Sequence, residues 1–311
     1  MESLVFLPFA VIILLLANYA EKNRRLSILV KLLLIFSSAL LISLGYLALL
    51  VTPDNATEET TKASGLSLIV MGALPLLVLS NYLRKLLSRY ISINIDSPLH
   101  LFALYSSFAI IGFSLTFMLT VDVAEFLRSV EIDYVPVIAS GVIYVLVGFL
   151  GVGLFLRRNF RECLKRLGIL KPSFKEIGYA VGLTFLLLSI IMVIGVIASA
   201  AGIENINNYD NDLMKLLGGS ITLVMALVIS LSSGIGEEIV FRGALQPRFG
   251  LVFTALIFAI AHVQYPSIVA LSAVFAAGIV LGWERKRFNT TTAMITHFLF
   301  NFIQLSALSI V

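Results

Sequence analysis

The 311-residue chain is 59% hydrophobic and 13% charged, with a mean hydropathy of +1.02, against ~45–50% apolar and ~25% charged for an ordinary soluble domain. The net charge of +4 sits on residues beside apolar runs, so it leaves no footprint for nucleic acid. The one cysteine, Cys163, excludes an intrachain disulfide and argues against a thiolate metal cluster.

Uncharged runs of about 20 residues recur, the length a helix needs to cross ~30 Å of hydrocarbon. They predict an all-α polytopic bundle of about 8–10 spans, over 4–20, 28–51, 65–83, 99–121, 135–156, 177–200, 216–248, 250–264, 267–284 and 290–311. Backbone groups in lipid must be satisfied internally, so the runs read as helices rather than strands. No Lys or Arg precedes the first run and Glu21-Lys22-Asn23-Arg24-Arg25 follows it, which reads as a retained span rather than a signal peptide. Residues 84–95 and 157–170 mix Leu, Ile and Tyr or Phe with Arg and Lys, and are expected to lie as helices in the headgroup plane. Cys163 falls in the second of these and reads as a surface or interfacial thiol, with palmitoylation as the alternative. Asn55-Ala56-Thr57 is a glycosylation sequon.

Orientation follows from Lys and Arg. One alternating set of loops holds 18 of the 22, the other holds Lys62, Arg128 and Lys215, and Arg242 lies inside an apolar run. The basic loops are therefore expected in the cytoplasm and the N-terminus outside, in a multi-pass protein of the cell membrane. Two parts are expected: residues 1–165, N-terminal transmembrane helices of open role, and 166–311, the part whose helices carry buried charge.

An ionisable side chain within a span costs at least ~2.5–3.5 kcal/mol on insertion scales, which makes it a functional candidate. Glu237, Glu238 and Arg242 lie in one apolar run. Glu238 and Arg242 are four apart and can pair on one helical face. Glu237 lies about 100° round from Glu238 and would be the unpaired acid. His262 ends the run Phe258-Ala259-Ile260-Ala261, and His297 and Asn301 share a helical face. At 1.5 Å per residue, Glu237 and His262 lie ~18 Å and His297 ~12 Å from the basic ends, so the three can meet in one cavity. His100, the third histidine, reads as structural. Locking of helices by a Glu–Arg pair and glue by a His–Asn pair are the plainer reading of each site alone.

Glu237-Glu238-Ile239-Val240-Phe241-Arg242, then Phe258 to His262, the Gly278–Gly282 helix, and His297 to Asn301 resemble, in that order, the motifs of the CAAX protease and bacteriocin-processing family. Leu167-Gly168-Ile169-Leu170-Lys171-Pro172-Ser173 is similar to the segment preceding the family domain, so the resemblance spans roughly 165–305. It implies an intramembrane endopeptidase of the type II CAAX prenyl type. Glu237 would activate water with His262, His297 and Asn301 would stabilise the oxyanion, and Glu238 and Arg242 would hold the site together. The implied partners are membrane lipids and a protein or peptide substrate, prenylated or not, with no nucleic acid.

No cofactor is favoured. Zinc stays open, with Glu237, His262 and His297 as the ligand set, although there is no His-Glu-x-x-His. Gly-x-Ser-x-Gly is absent, and Asp210 beside Tyr209 lacks a second Gly-x-Gly-Asp partner, which argues against serine and aspartyl intramembrane classes. Two other functions compete: a non-catalytic scaffold or immunity-type protein of the same fold, and a small-solute transporter. The absence of repeated halves weighs against the transporter.

Overall fold

The computed structural model describes residues 6–51, 58–121, 133–203, 221–263, 265 and 267–308. The Asn55 sequon, Asp210, and the loop residues Arg128 and Lys215 lie outside them. The described residues are all-α, with no strand among them, and seven helices are long and apolar enough to cross a membrane. Two shorter apolar helices accompany them. The chain is a multi-pass membrane protein.

The helices are α1 (Phe6–Ala20), α2 (Arg24–Leu50), α3 (Glu58–Leu76), α4 (Asn81–Leu87), α5 (Pro98–Thr120), α6 (Tyr134–Gly151), α7 (Phe160–Leu167), α8 (Phe174–Ala200) and α9 (Leu223–Glu238). Then come α10 (Gln246–Phe249), α11 (Leu251–Ile260), α12 (Ile268–Arg287) and α13 (Thr290–Leu308). The starts are written in the sequence. Asn23, Ser97, Thr222 and Ser267 each accept a backbone N–H of the first turn, and Pro98 opens α5 where its missing N–H costs nothing. Ser173 and Glu176 form a reciprocal capping box on α8.

The expected elements are present, with two corrections. The interfacial helix expected over 84–95 stops at Leu87, and the chain turns through 88–97 instead. Its hinge is Arg84, which is buried and donates to Ile95 O and Asn81 Oδ1, drawing the following segment back on itself. The second, over 157–170, shortens to α7, where Cys163 is fully buried rather than interfacial. We therefore expect a maleimide to leave Cys163 unmodified in the folded protein and to react only after denaturation. Rapid labelling from either side of a sealed vesicle would contradict this placement.

The residues fall into two compact units. The first comprises Met1–Val121, Leu150–Phe160 and Arg248–Gly250. Within it α2 and α3 approach so closely that a Cβ on Gly45 would stand 2.6 Å from Gly65 O. Lipid gives no hydrophobic drive for helices to associate, so small residues and polar contacts hold them. Tyr105 of α5 supplies one such contact, its hydroxyl 2.6 Å from Ser38 Oγ and 2.9 Å from Ser37 Oγ on α2.

The second unit comprises Asp122–Phe149, Arg161–Pro247 and Leu251–Val311. Here α6 lies along α9: Gly141 faces Ser232, Tyr144 faces Gly236, and Gly148 faces Ile239. The spacing of four and three is one ridge of each helix set into the other.

Candidate active site

The site is assembled on α9 and the turn that follows it. Ser233, Gly234 and Gly236 keep this face of α9 thin. A Cβ on Gly234 would lie 3.0 Å from Phe298 N, so only glycine lets α13 pack this near. After Glu238 the helix widens into a π-helical segment, Ile239–Leu245, before α10 resumes. Such segments mark functional sites more often than chance, because the extra residue per turn re-aims side chains and carbonyls. Gly243 O, inside the segment, accepts from Arg166 Nη1 at 3.2 Å, and a Gly243 Cβ would press on Leu167. The chain after α7 is in turn sewn to the start of α13. Thr290 Oγ1 donates to Leu167 O at 2.5 Å, and Thr290 N to Gly168 O at 2.9 Å.

Glu238 is fully buried and is the hub. Its Oε1 stands 3.0 Å from Arg242 Nη1 and accepts from His297 Nδ1 at 2.8 Å. The Arg242 contact has ion-pair distance without hydrogen-bond alignment. Arg242 is also fully buried. Its guanidinium lies 4.1 Å from the centre of the Phe258 ring, and Nη2 points at Gly278 O at 3.5 Å. Gly278 is where α11 and α12 meet, a Cβ there falling 3.0 Å from Ala255 Cβ. One turn on, Gln246 Nε2 donates to Gly282 O at 2.6 Å. The glycines of the third motif thus present bare backbone carbonyls to Arg242 and Gln246.

Glu237 points elsewhere, as the 100° offset requires. Its side chain keeps 16% exposure, and Oε2 faces His262 Nε2 across 3.8 Å with no hydrogen-bond partner. His262 stands just past the end of α11, with Nδ1 2.6 Å from Phe258 O. A carbonyl oxygen only accepts, so Nδ1 carries the hydrogen. The lone pair of the neutral ring is then on Nε2, aimed at the carboxylate. The rings of His262 and His297 flank Phe258, at 4.5 and 6.1 Å between centres.

Five of the six expected residues, Glu237, Glu238, Arg242, His262 and His297, therefore converge around Phe258. Asn301 lies one turn beyond His297 on α13, where Nδ2 donates to Ser233 Oγ at 2.9 Å. His297 and Asn301 share the face of α13 turned to α9, but each is engaged by a different residue of α9.

One buried acid escaped the sequence reading. Glu284 ends the expected span 267–284 and adjoins Arg285-Lys286-Arg287, and it was not singled out. It is fully buried, accepting from Thr296 Oγ1 at 2.8 Å, while Oε2 has no partner. The available signal was its spacing: Glu284 falls three and seven residues after Leu281 and Ala277, which are buried on the same side of α12.

His297 Nδ1 is taken by Glu238, and among the described residues no three His, Cys, Asp or Glu side chains are placed to hold a metal ion.

Fold and site together define a multi-pass helical membrane protein with an acid–histidine cluster buried between its spans. Residues 219–303 match the family model described as type II CAAX prenyl endopeptidase Rce1-like, so this stretch of the chain is similar to that family's domain. All four motifs lie inside the matched stretch, and the resemblance drawn from them is borne out there. No curated protein and no solved structure matches the chain.

Proposed function

We propose that the chain is an intramembrane endopeptidase that hydrolyses a peptide bond near the C-terminus of a membrane-associated, prenylated protein. The observation that carries this reading is the 3.8 Å gap between Glu237 Oε2 and His262 Nε2. Both atoms are acceptors, and two acceptors so placed suit one water donating a hydrogen to each at about 2.8 Å. As that water attacks the carbonyl carbon, a proton passes to the Glu237–His262 pair and then to the leaving amine. The products are a shortened protein ending in a new carboxylate and a released C-terminal peptide.

Asn301 has two Nδ2 hydrogens, and Ser233 takes one. The second is the proposed donor to the developing oxyanion. His297 already spends Nδ1–H on Glu238, so Nε2 donates only when the ring is an imidazolium. We expect Asn301→Ala to lower kcat by about 10²-fold with little change in KM, the signature of a lost oxyanion donor. A change in KM alone would move Asn301 to substrate binding.

The Glu237–His262 pair performs the proton transfer without a metal, at a site open to the cytoplasm in a chain whose N-terminus lies outside. The test is cleavage of a farnesylated Cys-a-a-X peptide by the purified chain in vesicles. Cleavage should survive exhaustive chelation. Loss on chelation restored by zinc would bring the metal into the mechanism. Folded protein that cleaves neither this peptide nor its geranylgeranylated counterpart would return the chain to the scaffold reading.

A further inference from the structure

A second feature of the same unit lies away from the acid–histidine cluster, where α8 begins and α12 ends. Lys175, Glu176, Tyr179, Trp283, Arg287 and Phe288 line a groove of about 360 Å³. Tyr179 and Phe288 stack at 5.0 Å, with Lys175 Nζ 5.9 Å from the centre of one ring and Arg287 Cζ 5.9 Å from the other. Two cations thus bracket an aromatic floor. The one acid of the groove is committed inward. Glu176 Oε2 accepts from Ser173 N at 2.6 Å and Ser173 Oγ at 2.8 Å, and Oε1 accepts from Asn289 Nδ2 at 2.9 Å. Neither Lys175 nor Arg287 forms an ion pair among the described residues.

The groove also sits at a defined level. Phe174 is the first residue of one candidate span and Arg287 the last of another, so their neighbours stand at the edge of the hydrocarbon. Trp and Tyr favour that level because one end of each ring is apolar and the other wet. Next to the groove on α8, Gly178 and Gly182 have open space above the backbone where a side chain would otherwise stand. A shallow track therefore leads from the cations along the apolar face of α8.

We propose that this groove binds an anionic phospholipid, its phosphate between Lys175 and Arg287 and one acyl chain along Gly178 and Gly182. A zwitterionic headgroup fits less well, because its ammonium would need an acid and Glu176 is already satisfied. Two cations near the surface give an anionic lipid a preference of about 30-fold over a neutral one.

Trp283 is the only tryptophan of the chain, which makes the groove directly observable. The full chain is reconstituted in phosphatidylcholine vesicles containing a fixed fraction of chain-brominated phosphatidylglycerol or chain-brominated phosphatidylcholine. We expect the brominated anionic lipid to quench Trp283 more strongly at equal mole fraction. Lys175→Gln/Arg287→Gln should make the two lipids quench alike, and Lys85→Gln/Arg89→Gln, which removes the same charge elsewhere, should keep the preference. Equal quenching in the wild type would overturn the proposal, whatever the variants do. A preference that survives loss of Lys175 and Arg287, or vanishes equally with Lys85 and Arg89, would assign it to overall charge and overturn the site.

Discussion

Glu237→Gln should abolish peptide cleavage while leaving the protein folded. The two halves of this expectation have separate causes. A glutamine keeps the shape of the side chain but cannot take a proton, and removal of a positioned base costs about 10²–10⁴-fold in rate. Stability should hold because Glu237 Oε2 has no hydrogen bond to lose and the side chain is partly exposed. The measurement pairs turnover of a farnesylated peptide with the thermal midpoint of the same preparation. His262→Ala should match it in activity. If His262→Ala alone abolishes turnover while Glu237→Gln retains most of it, the proton acceptor is the histidine and the roles assigned above are reversed.

The helices were legible because hydrocarbon imposes a length and forbids charge, and capping residues such as Ser173 and Thr222 mark where they start. The separate surroundings of Glu237 and Glu238 were legible from helix geometry alone, since neighbours about 100° apart cannot share a face. The π-helical segment after Glu238 was not, because a hydropathy pattern does not distinguish a bond to the fifth residue from one to the fourth. Nor was the role of Glu238 as a hub. Its pairing with Arg242 follows from spacing, but its bond to His297 joins residues 59 apart and depends on α13 packing on Gly234. Cys163 was misjudged and Glu284 passed over for one reason: each lies among basic residues, and sequence neighbours say nothing about which side of a helix a residue occupies.

Arg242→Met should destabilise the protein by about 3–5 kcal/mol, the cost of leaving a buried carboxylate without its cation. Methionine is close in length and still packs against Phe258, so the loss isolates the charge from the volume. Glu238→Gln/Arg242→Met removes both charges, and it should recover most of the stability because the pair's own net worth is small once desolvation is counted. Activity should not recover with it. Glutamine offers His297 Nδ1 only a neutral carbonyl oxygen, a weaker acceptor than a carboxylate, so the ring is held less firmly. A double-mutant cycle read by unfolding and by turnover separates these effects. Recovery of both would make the ion pair scaffolding alone. A single Arg242→Met that unfolds no more readily than the wild type would contradict the stabilising role given to the Glu238–Arg242 pair.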